Sequence, residues 1–143
     1  MRYHFKTHKN GRGYWAECIE LKGCKTQAES RAYLLENMTE VLNLYLEEPA
    51  DSKTTFPLPK KRCFGRNIVT VPVDPKVALA FLLRRHRLTN GLTQMQVAER
   101  LGLRGLYSYQ RLENSKTANP EFETIIRIKR AFPELDIDEL LAA

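Results

Sequence analysis

The spacing of apolar positions changes twice along this chain. Residues 2–9 alternate, with Tyr3, Phe5 and Thr7 on one side and His4, Lys6 and His8 on the other. That is the two-residue period of a strand with one buried face. Asn10-Gly11 follows, a pair that supplies the positive φ angles of a tight hairpin. Residues 14–21 then predict a second strand, Gly23 interrupts it, and residues 24–26 predict a short third one. From there the period becomes 3.6. Ala28, Ala32, Leu35, Met38, Leu42 and Leu46, widened by Leu34, Val41 and Tyr45, predict a helix to about residue 47. Thr26 and Glu29 have the spacing of a capping box at its start. Pro49 ends it, because the residue before a proline disfavours the helical region.

Residues 50–66 break the pattern. Pro57, Pro59 and a cluster of basic residues read as an extended connection, and residues 68–73 read as a fourth strand. Pro72 cannot donate to a ladder, so that strand lies at an edge or is ending there. The order to this point is β-β-β-α-β. The helical period then returns and stays. Asp74-Pro75 starts a helix carrying Val77, Leu79, Ala80, Phe81, Leu83 and Leu88, and Asn90-Gly91 closes it. Thr93 with Gln96 is a capping box, and Leu92 with Val97 has the spacing of a hydrophobic staple. A second helix runs to Leu101 and Gly102 makes the turn. A third covers about residues 106–113. Asn119-Pro120 opens a fourth with Phe122, Ile125, Ile126, Ile128, Ala131 and Phe132 inward, and Asp136 with Glu139 is a capping box for a short fifth. The fold class is therefore α+β, a mixed domain over residues 1–73 followed by an all-α five-helix domain over residues 74–143.

Composition narrows the partners. In 143 residues no apolar run approaches the roughly 20 needed to span a bilayer. The polar N-terminus lacks a signal-peptide core, so a cytoplasmic protein with no membrane partner is expected. The net charge of +6 is unevenly spread. Up to Pro49, Arg2, Lys6, Lys9, Arg12, Lys22, Lys25 and Arg31 meet seven glutamates: Glu17, Glu20, Glu29, Glu36, Glu40, Glu47 and Glu48. The excess falls later, at Lys60, Lys61, Arg62, Arg66, Arg84, Arg85, Arg87, Arg100, Arg104 and Arg111. One half of the chain is thus suited to a polyanion. Cys18, Cys24 and Cys63 read as reduced thiols in a chain without a secretion signal. His4 and His8 have no acidic or thiol residue at a matching offset, so no metal and no cofactor are expected. No catalytic constellation or glycine-rich phosphate loop is present, and the chain reads as a binding protein rather than an enzyme.

Residues 92–114 organise the second half. Two short helices about a glycine turn let one helix brace the DNA backbone while the next enters the major groove. Ala98 and Gly102 are small where the helices approach, and Tyr109 and Leu112 have the spacing to anchor the reading helix from behind. From Pro75 onward the chain resembles the helix-turn-helix domain of the phage-repressor and Cro-like (XRE) family. The residues that carry the resemblance are Leu92-Thr93-Gln94, Val97-Ala98, Leu101-Gly102, Leu112-Glu113-Asn114 and Asn119-Pro120. Arg104-Gly105 stands where that family has a hydroxyl cap, and one extra residue separates Gly102 from Leu-Glu-Asn. The resemblance implies phosphate contacts by Gln94, Asn114 and Lys116, with Arg104 nearby. It implies base-edge contacts by Tyr107, Ser108, Gln110 and Arg111, the guanidinium of Arg111 pairing both acceptors of a guanine.

The first half has a resemblance of its own. Gly13-Tyr14-Trp15-Ala16-Glu17, Leu21-Lys22-Gly23-Cys24-Lys25-Thr26-Gln27 and a helix ending in Leu44-Tyr45-Leu46-Glu47-Glu48 are similar to the N-terminal domain of HicB-type antitoxins. Lys22 replaces that family's proline. The resemblance implies a partial ribonuclease-H-like fold without nuclease activity. It also implies a small, basic, RNA-cleaving HicA-type toxin as partner, with Tyr14, Trp15, Glu17 and Glu20 as candidate contacts. The chain would then be an antitoxin that represses its own operon as a homodimer or tetramer on double-stranded operator DNA. Two other readings stand beside this one: a free-standing repressor whose first half senses a small molecule, and a degenerate RNA-processing enzyme.

Overall fold

Tyr3 and Phe5 are fully buried, and the first half is arranged about them. The computed structural model describes residues 1–141, so the last two positions of the expected second domain, 142 and 143, lie outside the described residues. The chain forms two units. Of the described residues, the first contains Met1–Leu46 and Phe56–Asp74; the second contains Glu47–Thr55 and 75–141.

In the first unit β1 (Arg2–Asn10), β2 (Gly13–Cys18), β3 (Lys25–Ala28) and β4 (Ile68–Pro72) form an antiparallel sheet in the order β3-β2-β1-β4. The register sets Phe5 opposite Cys18, Thr7 opposite Ala16 and Tyr3 opposite Val71, which gathers the apolar side chains on one face. Helix α1 (Arg31–Leu46) covers that face with Leu34, Met38, Leu42 and Leu46. Each large side chain removed from water there contributes roughly 1.5–3 kcal/mol.

Several local expectations are corrected. Asn10 pairs with Gly13, so the hairpin turn is Gly11-Arg12, and Gly11 alone supplies the positive φ, at 59°. The turn is of Gly-X type rather than Asn-Gly. The second strand ends at Cys18, and Thr26 to Ala28 belong to β3. Thr26 and Glu29 therefore form no capping box. Ser30 starts α1 instead, its hydroxyl accepting from the Tyr33 N–H at 3.2 Å. The buried stripe runs through Leu34, while Ala32 and Leu35 are exposed.

The second unit is all-helical: α2 (Pro75–Thr89), α3 (Gln94–Arg100), α4 (Leu106–Leu112), α5 (Phe122–Ala131) and α6 (Asp138–Leu141). One core joins them, including Leu79, Leu83, Val97, Leu101, Tyr109 and Phe132. Helix α5 starts later than expected. Its N-cap is Glu121, and Phe122, expected inside, is 78% exposed. Asp136 accepts from the Glu139 N–H at 3.2 Å, one of the two bonds of the box expected at the start of α6.

Candidate nucleic-acid interface

Two turns and a capping box place the reading helix. The first closes α2, where the Leu92 N–H donates to the Arg87 carbonyl at 2.9 Å and the Gly91 N–H to that of Leu88 at 3.2 Å. The second closes α3 in the same way, from Leu103 to Ala98 and from Gly102 to Glu99, both at 3.0 Å. These are Schellman closures, which need a left-handed residue after the helix. Gly91 (φ 65°) and Gly102 (φ 64°) supply it. Gly102 is exposed, so its smallness serves the turn rather than the approach of the two helices. Ala98, buried at 1% exposure, serves that approach. The third device is the start of α3. The Thr93 hydroxyl accepts from the Gln96 N–H at 3.1 Å, and the Gln96 side chain accepts from the Thr93 N–H at 2.9 Å.

Helix α4 begins at an extended Gly105 with no side-chain cap, in line with the missing hydroxyl residue. Tyr109 and Leu112 bury its inner face. The outer face carries Tyr107, 73% exposed, with Arg111 exposed one turn later, and Ser108 and Gln110 half-buried at its sides. Gln110 is tied to the bracing helix, its Nε2 donating to the Gln94 side-chain oxygen at 3.1 Å. Asn114 accepts from the Lys116 N–H at 3.0 Å, which leaves its amide NH2 free of that bond and available as a donor. Lys116 and Arg104 are exposed. The fold thus brings Gln94 to Gln110, Tyr107 to Arg111 and Asn114 to Lys116. Arg104 stands in the turn before α4.

Two supports of this surface were not found in the sequence. Arg127 of α5 donates to the Gly102 carbonyl at 2.9 Å and to Glu123 at 2.9 Å, bracing the turn from outside. The four-residue spacing of Glu123 and Arg127 was a visible signal. Glu113, noted only as part of Leu-Glu-Asn, is buried and receives Arg87 through two bonds, of 2.9 and 2.6 Å. That pairing holds the Arg87 guanidinium above its ordinary pKa, although burial opposes it. Arg84 is also buried, and desolvation pushes its pKa down. Arg84 and Arg87 therefore leave the set of surface cations counted from the sequence. The Tyr109 hydroxyl lies enclosed, without a hydrogen-bond partner among the described residues, and burial raises its pKa above the ordinary range for tyrosine.

In the first unit Tyr14 and Trp15 are half-buried on β2, and Trp15 stacks on His8 with ring centroids 4.0 Å apart. Glu17 is exposed and 3.2 Å from His8. Glu20 is turned inward, its side chain 2% exposed.

A braced helix with an exposed Tyr107–Arg111 face, set by a glycine turn, is the geometry of a major-groove reader. The second unit is a helix-turn-helix domain, the architecture of DNA-binding regulators. Residues 78–140 match the family model described as a helix-turn-helix domain. No curated protein matches the chain. Among the described residues no helix is long and apolar enough to cross a membrane.

Proposed function

We propose that the protein is the antitoxin of a toxin–antitoxin pair. It captures a small, basic, RNA-cleaving toxin of HicA type through its first unit. It represses its own operon through an XRE-like second unit, as a homodimer or higher oligomer reading paired half-sites. The observation that carries this reading is the joining, in one chain, of a helix-turn-helix domain to a β-β-β-α-β sheet whose Gly13 to Gln27 stretch has HicB-like spacing. A basic, RNA-binding partner complements exposed carboxylates such as Glu17 beside Trp15. With Glu20 turned inward, Tyr14, Trp15 and Glu17 remain as candidate contacts. The role is binding rather than catalysis.

Co-expression with the product of a short neighbouring open reading frame tests the reading. This chain should restore growth and suppress RNA cleavage, and failure to neutralise a toxic neighbour overturns the proposal. A second reading, a repressor that senses a small molecule, is favoured by an open cleft of about 760 Å³. Tyr14, Trp15, Lys25 and Gln27 help to line it, and its size falls within the range of ligand sites. Operator release by a metabolite, with no protein partner, would favour that reading.

A further inference from the structure

His4 lies on the sheet face opposite α1, where the alternation of β1 would leave it in water, yet it is buried. Two segments distant in sequence enclose it. Beyond Cys18 the chain folds back, and the Ile19 N–H donates to the His4 carbonyl at 2.8 Å. That turn sets the Glu20 carboxylate 2.6 Å from His4 Nδ1 and 3.1 Å from the His4 N–H. The connection before β4 passes the same point. The Lys60 N–H donates to Glu20 Oε1 at 3.3 Å, and Cys63 Sγ lies 4.0 Å from that oxygen. One ligand atom each from His4, Glu20 and Cys63 lies within 4.8 Å of the others. The His4 and Glu20 side chains are 8% and 2% exposed, and Cys63 is half-buried.

We propose that His4 Nδ1, the Glu20 carboxylate and Cys63 Sγ form a zinc site in the first unit. An imidazole nitrogen, a carboxylate oxygen and a thiolate sulfur are a donor set that zinc accepts and that calcium or magnesium, which seek oxygen, do not. Zinc–ligand bonds of roughly 2.0–2.3 Å set tetrahedral ligand atoms about 3.3–3.7 Å apart. The histidine–glutamate separation opens by less than about 1 Å to meet this, the cysteine–glutamate separation closes by a few tenths, and the histidine–cysteine separation, within 4.8 Å, closes by up to about 1 Å. Glu20 Oε2 is already oriented by the His4 N–H and by the Cys18 thiol, 3.5 Å away, as carboxylate ligands commonly are by outer partners. On binding, the Cys63 thiol gives its proton to solvent and the metal offsets the enclosed carboxylate. Water takes the fourth position. The ion would fasten Lys60 to Cys63, a stretch without helix or strand, to β1 near its start.

The test uses the full chain, stripped of metal and kept reduced. Zinc titrated by calorimetry should bind at one equivalent and raise the unfolding temperature. Cobalt in its place should give thiolate-to-metal charge-transfer absorption with a tetrahedral visible spectrum. Cys63 lies on a half-exposed connection, so Cys63→Ser should keep the apo circular dichroism spectrum. It should lose the charge-transfer band and weaken zinc by more than the roughly 10–100-fold that an outer partner's loss costs. His4→Gln should weaken zinc comparably. Absence of stoichiometric zinc binding by the unmodified chain, or undiminished binding by Cys63→Ser, would overturn the proposal and leave His4 and Glu20 as a buried hydrogen-bonded pair.

Discussion

Glu113 and Arg111 are two residues apart and do opposite work. Glu113 is inside, and its two bonds to Arg87 neutralise a buried guanidinium. Removing one charge strands the other, so Glu113→Gln should destabilise the second unit by about 3–5 kcal/mol, measured by urea unfolding. Replacing both partners together with apolar residues (Arg87→Met with Glu113→Leu) should cost much less. Arg111 is outside, so Arg111→Ala should leave stability unchanged and weaken sequence-specific binding by ~1–3 kcal/mol. A gel-shift titration with unchanged operator affinity would remove Arg111 from the reading face. Arg111 was legible in the sequence because it stands four residues after Tyr107 on the face away from Tyr109 and Leu112. The Arg87–Glu113 pair was not, because each residue alone resembles a solvated charge. The available hint was that Arg84 and Arg87 fall at helical spacing on the stripe of Val77 and Ala80. His86, on the same helix, rests on Phe132 with ring centroids 4.4 Å apart. Burial lowers its pKa below 6.5, partly offset by Glu134. Between that lowered value and 6.5 the unfolded chain binds more protons, so this contribution to stability is full above about 6.5 and is lost as pH falls. Unfolding temperatures at pH about 7.5 and about 5.5 should differ less in His86→Gln than in the unmodified chain.

At the scale of elements, three capping boxes were expected from the same spacing: one formed in full, one is represented by its Asp136–Glu139 N–H bond, and one did not form. Thr93 with Gln96 caps α3, whereas Thr26 with Glu29 does not cap α1 because residues 25–28 pair with β2. A hydroxyl followed three residues later by Glu or Gln is a local signal, and ladder pairing with a distant segment overrides it. Gly102 and Gly91 were readable for the converse reason: a positive φ after a helix is a local demand that no distant contact changes. Thr93→Ala removes the hydroxyl that accepts from the Gln96 N–H, so it should cost ~1 kcal/mol. It should also lower operator affinity, because Gln94, the next residue, is held against Gln110 by the start of that helix. A thermal melt together with a binding titration checks both parts, and a destabilised variant with full affinity would separate the cap from the interface. The β-β-β-α-β order and the longer helices α2 and α5 were legible because each carries several turns or pairs of consistent pattern, while the four-residue α6 was marked by Asp136 at its start. Their ends were not: Phe122 had the spacing of a core residue, but α5 starts only there and leaves its side chain outside.

For the whole molecule, the charge pattern pointed to one polyanion-binding half, and burial revises how that charge is distributed. Arg84 and Arg87 are withdrawn into the second unit, while Arg104, Arg111 and Lys116 stay at its surface around α4. DNA binding by such a surface divides into a phosphate part that salt suppresses and a base-reading part that it does not. Lys116 sits in the turn after α4, where Asn114 fixes its N–H, and it offers a point charge without a planar fork. Lys116→Ala should therefore reduce the slope of log affinity against log salt by about 1 and weaken operator and random DNA alike. Arg111→Ala should instead narrow the gap between operator and random DNA. Fluorescence anisotropy titrations of both variants on both DNAs, over a range of salt, resolve the two effects. If Lys116→Ala narrowed the operator preference while the salt slope stayed fixed, the helix would be inserted in a different register. Tyr107 and Ser108, one turn earlier on α4, would then need reassignment between phosphate and base.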